Sequence, residues 1–86
     1  MIEKIVNSMK EVDLTELKWP MVSVYRLPKD YPGKYVARVY DLVKPTNIVM
    51  IKDTLEELQE DIRKNTGLMY IPRCMEDHKV VEGVWI

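Results

Sequence analysis

The chain has 86 residues, 47% of them hydrophobic and 31% charged, with a formal net charge of −1. That length gives one domain with a modest core and no room for a deep cleft between two lobes, and the composition excludes a disordered chain. The longest aliphatic block, Ile48 to Ile51, is far short of the ~20 apolar residues that span a bilayer, Met1 leads into no apolar leader stretch, and the single Cys74 can close no internal disulfide, so the expectation is a cytoplasmic protein with no membrane contact.

In chain order, residues 1–19 read as a helical extension. Ile2, Ile5, Val6, Met9 and Val12 recur at three- and four-residue spacing, with Glu3, Lys4, Lys10 and Glu11 between them. A break is expected near Asp13, where Asp13-Leu14-Thr15-Glu16 has capping-box spacing and can start a second short turn. Trp19 precedes Pro20, which pushes it out of the helical region.

Residues 20–86 are expected to form the compact domain. Residues 21–27, rich in Val and Tyr, predict a strand. Pro32-Gly33 suits the centre of a type II turn, with Pro fixing φ and Gly accepting a positive φ. A second strand follows over 34–43, a turn over Lys44-Pro45-Thr46-Asn47, and a short third strand over 48–52.

The clearest element is a helix over 54–65. Asp53 or Thr54 can cap it, Leu55, Leu58 and Ile62 form its apolar stripe, acids crowd its start and bases its end, and Gly67 stops it. A strand over 68–71, a polar loop over 73–79 and a closing strand over 80–86 complete the chain. In the last, Val80, Glu82, Val84 and Ile86 alternate with Val81, Gly83 and Trp85. Sequential strands joined by short turns predict the α+β class: an antiparallel four- or five-stranded sheet with one or two helices on one face.

The run Tyr25-Arg26-Leu27-Pro28, then Asp30 to Arg38, then Tyr40-Asp41, continues with Asp53-Thr54-Leu55-Glu56-Glu57, Gly67-Leu68, Pro72-Arg73, Asp77, Val81-Glu82 and Trp85-Ile86. It resembles a group of small bacterial proteins of YRLP…YPxxYVxRxYD…DTLEE…GL…PR…D…VE.W type. The resemblance spans residues 24–86 and implies a compact α+β unit encoded by bacteria. It carries over no catalytic residue, cofactor or substrate.

Cys74 and His78, the only Cys and the only His, lie four apart. A zinc site needs three or four protein ligands and would have to recruit carboxylates. A Cys–His nucleophile pair would need a converged base and an oxyanion hole, which one short loop does not supply. The acidic pairs Glu56/Glu60 and Glu57/Asp61 share helix faces and read as a solvated stripe; the same spacing permits mimicry of nucleic-acid phosphates. The three glycines match no phosphate-binding loop. The expectation is a non-catalytic protein with no metal and no cofactor.

Charge is distributed unevenly. Residues 18–52 carry seven bases against two acids, while the segments before and after are both acidic. Four of the five tyrosines fall in the same basic segment. If Leu27 lies opposite Lys34, then Tyr25 faces Val36, Ser23 faces Arg38 and Met21 faces Tyr40, all on one side of the sheet. Val22, Val24, Ala37 and Val39 take the other side as core. Tyr and Arg are typical of binding hot spots. The expected function is therefore an interaction module that binds a protein partner, or itself as a homodimer, through Tyr25, Val36, Arg38 and Tyr40. The alternative is a small nucleic-acid-binding domain using Lys29, Lys34, Arg38 and Lys44 with the neighbouring tyrosines. The blander account is cross-strand pairing within an ordinary sheet.

Overall fold

A computed structural model describes residues 3–42, 44–72 and 81–86. Its strands are β1 (Lys4–Val6), β2 (Pro20–Arg26), β3 (Tyr35–Asp41), β4 (Lys44–Lys52), β5 (Tyr70–Pro72) and β6 (Val81–Trp85), with one helix, α1 (Leu55–Thr66), between β4 and β5. The strands form one sheet in the order β1-β4-β3-β2-β6-β5. The α+β class and the largely antiparallel sheet are as expected. The strand number is not: six strands are described, and β1 pairs with β4 in parallel.

The helix expected over 1–19 is absent among the described residues of that span. Its place is taken by β1 and two single-turn 3-10 helices, Met9–Glu11 and Leu14–Glu16. The three-residue spacing of Val6 and Met9 is met by a strand followed by one turn, and both side chains are buried. Local polar groups stop any longer helix. Ser8 caps the first turn while the Glu11 carboxylate accepts from the Ser8 backbone N–H at 3.1 Å, and Asp13 caps the second as its spacing predicts. The Asp61 carboxylate of α1 accepts from the Met9 N–H at 2.7 Å and fastens this segment to the helix.

The hairpin of β2 and β3 has the expected register, with Tyr25 opposite Val36, Ser23 opposite Arg38 and Met21 opposite Tyr40. Gly33 supplies the positive φ (78°) of the Pro32-Gly33 turn. The turn expected over Lys44-Pro45-Thr46-Asn47 lies instead inside β4. The chain reverses earlier, at Leu42 (φ 57°), and a register shift between Arg38 and Tyr40 takes up the extra β4 residues. Pro45 has no N–H to give the ladder, and Thr46 Oγ1 donates to the Val39 carbonyl at 2.7 Å where the ladder is interrupted.

Helix α1 has the predicted cap: Thr54 accepts from the Glu57 N–H at 3.2 Å, and Gly67 ends it in the left-handed region (φ 71°). Leu58 and Ile62 bury against Val22, Val24, Ala37, Val39 and Met50 on one sheet face, joined there by Val6, Met9 and Trp85. Trp85 Nε1–H donates to Gln59 of α1 at 2.7 Å, and its ring lies 5.2 Å from that of Tyr70. Among the described residues, no helix is long and apolar enough to cross a membrane.

Candidate functional site

With α1 and the 3-10 turns on one side, no helix among the described residues lies over the other sheet face. The registers place its side chains in rows. One row runs Tyr40, Met21, Ile86, Met69 across β3, β2 and the ends of β6 and β5. The next runs Ile5, Val49, Arg38, Ser23, Val84, Ile71 from one edge to the other. A third holds Ile51, Val36, Tyr25 and Val81. The alternation expected along residues 80–86 holds at Gly83, Val84 and Trp85 but breaks beyond Gly83, where the register shift against Val24 and Tyr25 inserts Glu82.

All four residues expected to bind a partner, Tyr25, Val36, Arg38 and Tyr40, do lie on this face, but their surroundings differ. Val36 and its neighbour Val49 are completely buried, although neither belongs to the core beneath α1. The β2–β3 connection is tied to side chains that flank them on the same face. The chain leaves β2 through Leu27 (φ 48°), and the connection that follows bonds to side chains of this face. There Asp30 accepts from Arg38 Nη2, and the Tyr31 hydroxyl donates to Glu3. Arg38 Nη1 donates to the other oxygen of Glu3 at 2.6 Å. This clasp of Asp30, Arg38, Glu3 and Tyr31 turns residues 27–34 into a strap tied to the β3–β4–β1 half of the face. The Tyr31 hydrogen bond, and after it Arg38, holds the Glu3 carboxyl below its ordinary range. The same bond raises the Tyr31 phenol.

Beside the clasp, the hydroxyls of Tyr25 and Tyr40 lie 2.9 Å apart, one donating to the other. Burial, and then Tyr40, pushes the Tyr25 phenol up to about 12. Both rings are half-buried, and they spend their polar ends on each other.

The four cations of the alternative site do not converge. Lys34 pairs with Asp53 and Arg38 is held in the clasp, whereas Lys29 and Lys44 are exposed. Lys44 is opposite Asp41 at the far end of β3 from Lys34, roughly 20 Å along the strand. The acidic helix stripe is engaged locally: Glu60 pairs with Arg63 and Lys64, Asp61 holds the Met9 N–H, and Glu57 accepts from the Thr54 hydroxyl. A shallow polar groove of about 370 Å³ between the first 3-10 turn and α1 is lined by Lys52, Asp61 and Asn65, each already holding a partner on the chain. Cys74 and His78 lie outside the described residues.

The residues that sequence reasoning missed are on the β2–β6–β5 half of the open face. Met69 is 75% exposed, Ile71 49% and Ile86 42%, Val84 is half-buried among them, and they adjoin Met21, already expected on this face. The signal was present in the alternation of Met69 and Ile71 around Tyr70, and of Val84 and Ile86 around Trp85. Placing it beside Tyr25 and Tyr40 requires the β2–β6 pairing, which joins residues some sixty positions apart. Trp19 and Leu42, also more than half exposed, stand at the same end of the sheet. Comparison with protein-family models, with curated proteins and with solved structures finds no match.

Proposed function

We propose that this protein is a non-catalytic interaction module that binds a protein partner, or a second copy of itself, through its helix-free sheet face. The observation that carries the reading is the β2–β6–β5 half of that face. Met21, Met69, Ile71, Val84 and Ile86 adjoin one another by register, with no charged side chain among them, and three of the five are well exposed. A contiguous exposed apolar patch of this kind typically marks an interaction site. Tyr25 and Tyr40 border it and add large contact area. Arg38 contributes by holding the strap in place.

The basic character of residues 18–52 motivates the nucleic-acid alternative, but Lys34 and Arg38 already have acidic partners, which favours the protein-binding reading. Light scattering and pull-downs with Tyr25→Ala, Arg38→Ala and Met69→Lys test it. Loss of assembly or of captured partners is expected, and unchanged assembly and partners in all three variants would refute it. Single-stranded nucleic acid that bound with an affinity falling steeply with salt would favour the alternative instead.

A further inference from the structure

A separate feature lies at the end of the sheet where β2 begins and β3 ends. Lys18, Trp19, Asp41, Leu42 and Lys44 line a cavity of about 400 Å³ there. That volume lies within the range of roughly 300–1,000 Å³ typical of small-molecule sites. Its apolar walls are held on a fixed frame. The Leu42 N–H donates to the Trp19 carbonyl at 2.8 Å, and the Trp19 N–H donates to the Asp41 carboxylate at 2.9 Å. We infer that this cavity binds a small aromatic carboxylate, with its ring against Trp19 and Leu42 and its carboxylate drawn to Lys18 and Lys44. The site is distinct from the sheet-face reading above and goes beyond it.

Three observations select that ligand chemistry. First, the apolar walls are built at a cost that the chain's own core does not offset. Leu42 takes a left-handed backbone (φ 57°), which L side chains rarely adopt, yet its side chain is 53% exposed. Trp19, 60% exposed, stands beside it. Backbone outliers of this kind concentrate at ligand sites. Second, the charge is unbalanced. Lys18 and Lys44 are exposed and neither has an ion pair among the described residues, while one oxygen of Asp41 is engaged by the Trp19 N–H. Two cations against one acid leave a surplus of one positive charge, which a single carboxylate matches. Third, the backbone N–H groups of Trp19 and Leu42 already donate within the chain. The frame therefore has no nest of free donors for a bare phosphate or sulfate. Affinity has to come from ring contact, with the lysines adding selectivity for charge.

The test titrates naphthalene-2-carboxylate, and separately its neutral isostere naphthalene-2-carboxamide, into the whole chain, read by backbone amide and indole N–H NMR shifts. The acid should bind with a Kd of about 0.1–1 mM, the strength expected of so small a ligand, and move Trp19, Leu42 and Lys44. The amide should bind about three- to ten-fold more weakly, the size of two exposed ion pairs. In the double variant Lys18→Gln/Lys44→Gln, acid and amide should bind alike. Trp19→Ala should lose both ligands, with an unchanged far-ultraviolet spectrum because the side chain is exposed. Equal binding of acid and amide by the wild type overturns the inference without recourse to any variant, as does the absence of binding up to about 10 mM. Charge selectivity that persists in the double variant overturns the role given to the two lysines. Shifts centred on Met69, Ile71 and Ile86 and retained in Trp19→Ala overturn this site while leaving the sheet-face reading standing. That reading is tested by its own pull-downs, so either can fail alone.

Discussion

Replacing Arg38 with Met keeps most of the side-chain stem and removes the guanidinium that holds the strap. Arg38 is 25% exposed and Glu3 31%, whereas Asp30 is 53% exposed. The Asp30 contact is therefore largely screened and is worth at most about 0.5 kcal/mol. The better-shielded Glu3 bond is charge-assisted and contributes about 1–2 kcal/mol. The expected loss is about 2 kcal/mol, which in a domain of this size lowers the melting temperature by about 10 °C. Circular-dichroism melting reads the stability, and tryptic cleavage after Lys29 reads release of the strap. The loss also depends on pH. The folded Glu3 carboxyl is held below its ordinary value of 4.5, so its contribution is complete above that value and fades as pH falls through the folded one. The gap between wild type and variant should shrink in acid. A melting temperature within about 2 °C of wild type at neutral pH, with unchanged cleavage, would refute the reasoning.

Other perturbations probe the rest of the structure. Tyr40→Phe removes the partner that, after burial, raises the Tyr25 phenol, so in the ultraviolet titration Tyr25 should ionise at lower pH than its present value of about 12; an unmoved titration contradicts the pairing. Because that value lies above the ordinary 10.0, neutral Tyr25 supports the fold fully below pH 10 and the support drains away as pH rises toward 12. In Gly83→Ala the added Cβ would come within 2.6 Å of the Tyr70 ring, which Trp85 and a 3.0 Å hydrogen bond to the Glu82 carbonyl hold in place. A cost of about 1–3 kcal/mol in urea unfolding is expected, and an unchanged midpoint would show that the ring yields freely. Thr54→Ala removes the α1 cap and should cost about 1 kcal/mol in the same assay, with no change in the clasp.

Local chemistry made half of this molecule readable from its sequence. The Pro32-Gly33 turn and the alternation on either side fix the β2–β3 register, and with it the shared face of Tyr25, Val36, Arg38 and Tyr40. The Thr54 cap and Gly67 stop fix α1. What stayed hidden depends on distant pairing. Ile5, Val6 and Met9 satisfy a helical period equally well as a strand and one turn, and only docking on β4 and Asp61 decides between them. Pro45 looks like a turn residue until the bulge in β4 accommodates it. The clasp joins Glu3, Asp30 and Arg38 across 35 positions of chain, and no local pattern announces it. The apolar half of the face emerges only when β6 is laid beside β2.

The claim that the helix-free face is the binding surface is tested most directly by backbone amide NMR of the whole chain on serial dilution. The account predicts concentration-dependent shifts at Met21, Met69, Ile71, Val84 and Ile86 and along the strap, with α1 unmoved. Shifts confined to α1 and the 3-10 turns, or none anywhere either on dilution or on addition of a captured partner, would contradict it.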